Sequence, residues 1–129
     1  MTDDALLAQL EACTLREDCF HHAEHVRAAW LYLMRFPPAG AIARFSEALR
    51  AYAASRGKPG RYHETITWAY LLLLNERIHR ADPIATWDQF AAANPDLCDW
   101  KNSILLRYYR QETLDSALAR NVFLMPDRF

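Results

Sequence analysis

Phe20-His21-His22-Ala23-Glu24-His25-Val26 decides how the chain is read, because three histidines fall within five positions at the head of an apolar, helix-forming run. The run continues through Ala28, Ala29, Trp30, Leu31, Leu33 and Met34. Imidazole is mostly a surface or half-buried group, so three rings at the head of a hydrophobic helix need partners: hydrogen-bonding groups or a metal. At helical spacing Val26, Ala29, Leu33 and Phe36 define the buried face, with His22 in its middle and His25 at its edge one turn on. Glu24, Arg27 and Arg35 fall opposite, and His21 lies between the two sectors. The inward pair is therefore His22 with His25, at i and i+3. If the helix is rotated by part of a turn, His21 with His25, at i and i+4, takes its place.

A second polar cluster, Tyr62-His63-Glu64-Thr65-Ile66-Thr67, opens the other strongly apolar run. That run predicts a helix over 62–79, apolar on nearly every side and hence the central element of a helical bundle. Thr67, Leu71 and Leu74 share one line along it, and His63 and Glu64 straddle that line one turn earlier. Both lean toward one point at the helix head.

The remaining segments fall around these two. Leu6, Leu7, Leu10 and Cys13 follow the three-four spacing of a first helix over 4–13, with Thr2 or Asp3 as N-cap. Asp18 is the expected N-cap of the second helix, over 19–36, which Pro37-Pro38 stops. A third helix follows to 55 with Ile42, Phe45, Leu49 and Tyr52 inward, ended by the Arg56-Gly57-Lys58-Pro59-Gly60 loop. Thr86-Trp87-Asp88-Gln89 reads as a capping box for a short fifth helix to 93, closed by Asn94-Pro95. A sixth helix is expected over 97–109, presenting Trp100, Ile104, Leu105 and Tyr108. A short last helix over 113–122 precedes Phe123-Leu124-Met125-Pro126, apolar enough to fold back on the bundle. The fold class is all-α, a single-domain bundle over 1–129 with four main helices and two or three short ones.

Composition narrows the function. With 129 residues the chain has the size of one domain, and only three glycines argue against a β-rich, turn-rich architecture. Lys+Arg 15 against Asp+Glu 16 is near balance, and the arginines are spread along the chain, so neither nucleic acid nor a membrane surface is an expected partner. The acidic start, Met1-Thr2-Asp3-Asp4, does not resemble a signal peptide, and the apolar run 68–74 is too short to cross a bilayer. Cys13, Cys19 and Cys98 are an odd number without C-x-x-C spacing, which fits a reducing cytoplasm.

The chemistry then rests on the two polar clusters. Imidazoles at i and i+3 or i and i+4 can place two nitrogens about 2.0–2.1 Å from one ion, and bundles build metal sites from facing helices. His22, His25 and His63 are the expected ligands of a divalent transition metal: iron, zinc or copper. Glu64 is the expected fourth ligand or general base. His21, Tyr62, Thr67 and Tyr70 are expected to support the site or line its pocket. Two or three histidines plus a carboxylate, with one position open, suit a metal-dependent hydrolase or oxygenase acting on a small molecule. The competing reading is a non-catalytic helical module, binding a small ligand or a protein, whose histidines are satisfied by hydrogen bonds. Thr65 is expected to bond a carbonyl of its own helix, and Asp127 to stay outside any site.

The pattern Phe20-x-His22-x-x-His25-Val26, then Ala29-Trp30-x-Tyr32-Leu33, then Tyr62-His63-Glu64-Thr65-Ile66-Thr67 and a tail ending Pro126-Asp127, resembles a set of small bacterial all-helical proteins of undetermined function. The resemblance covers most of the chain, and Tyr-His-Glu-Thr is its most specific part. It implies that His22 rather than His21 is the matched histidine, and it brings no activity.

Overall fold

Every regular element among the described residues, 1–83 and 86–128, is helical in the computed structural model. The backbone falls into two compact units, Met1–Tyr62 and His63–Phe129.

The first unit holds α1 (Asp3–Glu11), α2 (His22–Arg35) and α3 (Pro38–Ser55). Thr2 Oγ1 caps α1 by accepting from the Ala5 amide at 3.1 Å, and Leu6, Leu7 and Leu10 are buried as their spacing predicts. Cys13 is not on the inward stripe. It lies beyond the helix end in the left-handed region, φ 58°, where Cys13 N donates to Leu10 O and Thr14 N to Gln9 O. That pair of bonds is a Schellman stop built on a residue other than glycine. The same stop ends α3, this time on Gly57 at φ 70°, with Gly57 N to Ala54 O and Lys58 N to Ala53 O.

Helix α2 begins at His22 rather than at 19, because Glu17–Cys19 forms a separate 3-10 turn. Its buried stripe is wider than expected, taking in Val26, Ala28, Ala29, Trp30, Leu31 and Tyr32, while Leu33 and Phe36 stay half-buried. Phe45 and Tyr52 of α3 are buried as expected. Two polar straps fasten α1 to α2: Arg27 reaches Asp3 Oδ1 at 2.6 Å and the Met1 carbonyl at 2.9 Å, and the Tyr32 hydroxyl donates to Glu11 at 2.6 Å. At the other end of α3, Tyr52 donates to Leu15 O at 2.7 Å, and Arg56 donates to Cys13 O and Leu15 O at 3.0 and 2.6 Å. The turn after α1 therefore hangs from the end of α3.

The second unit holds α4 (Glu64–Arg80), α5 (Trp87–Ala93), α6 (Gln111–Leu114) and α7 (Ala117–Asn121). Helix α4 packs against α7 and against the 3-10 turn Ile104–Arg107. Its far end is clamped by Arg77, which grips Asp96 with two N–H donors at 2.8 and 3.1 Å and Asn94 Oδ1 at 2.8 Å. The expected sixth helix over 97–109 is absent. Two 3-10 turns, Pro95–Cys98 and Ile104–Arg107, replace it. Between them Asp99 accepts from the Asn102 amide, and Ser103 Oγ accepts from the Leu105 amide, so short polar side chains compete for the backbone bonds a helix needs. The inward set changes accordingly: Ile104 and Leu105 are buried, Trp100 is 55% exposed, and Tyr109 replaces Tyr108 in the core.

The two left-handed stops give a matched pair of expectations. Gly57→Ala should cost about 1 kcal/mol, and because a Cβ there meets nothing within 4 Å the cost is conformational alone. Cys13→Gly should stabilise the chain by roughly 0.5–1 kcal/mol by relieving the same conformation. A higher urea midpoint for Gly57→Ala, or a lower one for Cys13→Gly, would contradict the corresponding assignment.

Candidate functional site

Both histidine clusters stand at helix heads, where the first backbone N–H groups have no partner within the helix. At the head of α2, His21 is the N-cap residue, and the Glu24 carboxylate accepts from its backbone N–H at 3.0 Å and meets its ring Nδ1 at 3.0 Å. His22 is the first residue of the helix and is half-buried. His25 stacks on Phe20, ring centroids 3.8 Å apart and planes 16° from parallel. Phe20 in turn meets Tyr52 edge-on at 5.2 Å. Burial, with the neighbouring His22 adding to it, pushes His25 down to about 4, while the Glu24 charge and a hydrogen bond to the Phe20 backbone partly offset this. The ring is thus a neutral aromatic partner of Phe20.

At the head of α4, His63 is the N-cap residue and is buried. Its Nδ1 accepts from the Ile66 amide at 3.1 Å, doing what a serine or aspartate oxygen does at other helix heads. With Nδ1 as acceptor, the neutral ring carries its proton on Nε2, which donates to the Leu114 carbonyl at 2.7 Å. Burial holds this imidazole below its ordinary range, against the Leu114 bond that favours the charged form.

The expected metal site of His22, His25 and His63 is therefore corrected. Among the described residues no group of three or more His, Cys, Asp or Glu side chains is placed to hold a metal ion. The physical reason is visible at His63, both of whose nitrogens are occupied by backbone groups. With it falls the reading of the chain as a metal-binding protein with a histidine cluster. Hydrogen-bonded, structural histidines, the competing reading, describe these rings better.

The other expected site residues are placed as follows. Glu64 is the first residue of α4, where a carboxylate favours the positive end of the helix. Tyr62 closes the first unit with the Arg50 guanidinium over its ring at 4.8 Å. Thr67 is buried on α4, and the Tyr70 hydroxyl lies 3.0 Å from Ser103 Oγ, with burial raising its phenol.

Thr65 does what its sequence position did not suggest. It is 0% exposed, and its hydroxyl donates to Val122 O at 2.8 Å and accepts from Leu124 N at 3.1 Å, so it holds the tail after α7 rather than its own helix. Tyr109 donates to Leu124 O at 2.7 Å. Asp127 closes the arrangement: its carboxylate accepts from the Arg110 amide at 2.9 Å and from the Thr113 hydroxyl, bonds that hold it below the usual carboxylate range. The amides of Asp127 and Arg128 both donate to Tyr108 O. The only sequence signal for this anchoring is an aspartate directly after the proline that ends an apolar tail.

No family model, no curated protein and no solved structure matches the chain.

Two outcomes follow from these placements. Above its ordinary value of 6.5, His25 is neutral in both folded and unfolded chains and contributes no pH dependence. Between 6.5 and about 4 the unfolded chain binds a proton that the folded chain refuses, so stability falls as pH falls, and it levels off below. Between pH 7 and 4.5 the wild type should lose roughly 2–3 kcal/mol more than His25→Phe in urea unfolding. Parallel curves for the two would contradict the burial. Thr65→Val keeps the shape of the side chain while orphaning Val122 O and Leu124 N, and should cost about 2–3 kcal/mol with hydrogen-exchange protection lost at Leu124.

Proposed function

We propose that the chain is a non-catalytic helical module that binds a protein partner through the side chains displayed by α7 and the tail after it. The observation that carries this reading is a set of apolar groups facing outward on a fastened backbone. Leu118 is 60% exposed, Val122 45% and Met125 75%. Leu118 lies on α7 and Val122 is its C-cap, whose amide donates to Leu118 O. The tail that carries Met125 is tied down on either side of it by Thr65, Tyr109 and Asp127. Single exposed apolar residues are ordinary on any protein, but three within eight positions form the kind of group that marks an interaction surface. Because the backbone is already ordered, binding there does not have to supply the entropy of ordering it.

The near-neutral charge of the chain favours a protein over a nucleic acid as the partner. No helix among the described residues is long and apolar enough to cross a membrane. His63 is occupied in capping and His25 in stacking, which supports a binding role over a catalytic one.

A photo-crosslinking amino acid placed at Leu118 or Met125 in the full chain, in its native cell, should give a discrete adduct with one protein. The same group at the exposed Lys101 should not, and Val122→Ser should weaken the adduct several-fold. Equal labelling at all three positions, or none at Leu118 and Met125, would overturn the proposal.

A further inference from the structure

We propose that the second unit carries a proton-operated latch in which charging His63 uncaps α4 and lets go of the tail at Val122–Leu124. The geometry links four parts in series. His63 Nδ1 holds the amide of Ile66, the third residue of α4. Its Nε2 holds Leu114 O at the end of α6. Thr65 sits inside the same first turn of α4 that the cap maintains. Thr65 in turn grips the tail at Val122 O and Leu124 N.

A proton added at Nδ1 removes the acceptor and sets an N–H against the Ile66 N–H. It also places a cation at the positive end of a seventeen-residue helix. The imidazole is rigid and planar, so it cannot turn Nδ1 away from Ile66 and keep Nε2 on Leu114. Relief of one contact therefore gives up the other, and the first turn of α4 loses its cap together with its tie to α6.

The charged groups that reach the ring are Arg120 of α7, which opposes protonation, and Asp115 at the end of α6, which favours it. On its own helix Glu64 follows directly. The sign follows from the buried neutral ring: protonation is disfavoured while the latch is closed and proceeds at the ordinary value of 6.5 once it is open. Opening is thus promoted as pH falls below that value. The end of the tail responds differently, because Asp127 stays ionised on Arg110 and Thr113 through mild acid. Release is confined to the stretch gripped by Thr65.

This inference stands on the second unit alone and does not require the partner-binding reading. Its test is residue-resolved amide exchange on the full chain, corrected for the intrinsic pH dependence of exchange. Between pH 7.5 and 5.5, protection at Ile66 and Leu124 should fall by up to about tenfold, the linkage of one proton, while protection at Arg110 and Arg128 holds. His63→Asn keeps an N-cap oxygen but cannot titrate, and should flatten the response at Ile66 and Leu124. A parallel loss at all four amides, or an undiminished response in His63→Asn, would overturn the latch. If the variant fails to fold, imidazole nitrogen shifts of the wild type decide instead. A ring at His63 protonated on Nε2 and titrating below 6.5 in step with Ile66 supports the proposal, and a ring titrating with no change at Ile66 sinks it.

Discussion

The first amides of an α-helix need acceptors from outside the helix, and in this chain that need explains His63. The two polar clusters look alike in sequence because both stand at the head of a long apolar helix. At α2 the need is met by Glu24 reaching back to His21, and at α4 by the ring of His63 reaching forward to Ile66. Of the expected metal ligands, His63 is the group that lets an apolar helix begin, and His25 is packed in a ring stack. A buried polar atom left without a partner costs about 1–3 kcal/mol, comparable to a large share of the stability of a small domain, so each of these bonds constrains the fold.

The second constraint is how the chain ends. An apolar tail with no regular structure would leave its backbone groups competing for water, yet here side chains of residues far away in sequence supply the missing bonds. Thr65, Tyr109 and Asp127 bridge 59, 15 and 17 residues to do so. Fastening by side chains, with Tyr108 O as the backbone acceptor, leaves the tail without a ladder, and its apolar residues point outward as well as inward. Phe123 takes the inward option, stacking on Trp68 at 5.5 Å. Met125 takes the outward one.

The helices were legible because their cause is local. Leu6, Leu7 and Leu10, the prolines at 37 and 38, and Gly57 at the end of α3 each act through neighbours within a few residues. The failure at 97–109 has a local cause too. Trp100, Ile104, Leu105 and Tyr108 keep helical spacing, but Asp99, Asn102 and Ser103 sit between them with side chains that bond the backbone in non-helical ways. In this segment the backbone bonds of short polar side chains outweigh hydrophobic periodicity. The role of Thr65 was not legible, since its partners are fixed by tertiary folding, and that of Asp127 left only its place after the tail proline.

The misread histidines make a more general point about imidazole at a helix head. A serine or aspartate cap satisfies one amide and ends there. Imidazole offers an acceptor and a donor on opposite sides of a rigid ring, so a histidine cap can also tie the helix to a second segment, as His63 ties α4 to Leu114. The same two bonds fix the tautomer, and a ring with both nitrogens committed to backbone groups has no lone pair to offer an ion. Ligand and cap are therefore exclusive roles for one imidazole. Which of them a histidine takes depends on whether it sits one residue before the first helical turn or within it. For His63 that distinction amounts to two residues: a helix beginning at 62 would have left the ring free to coordinate, and one beginning at Glu64 requires it as the cap.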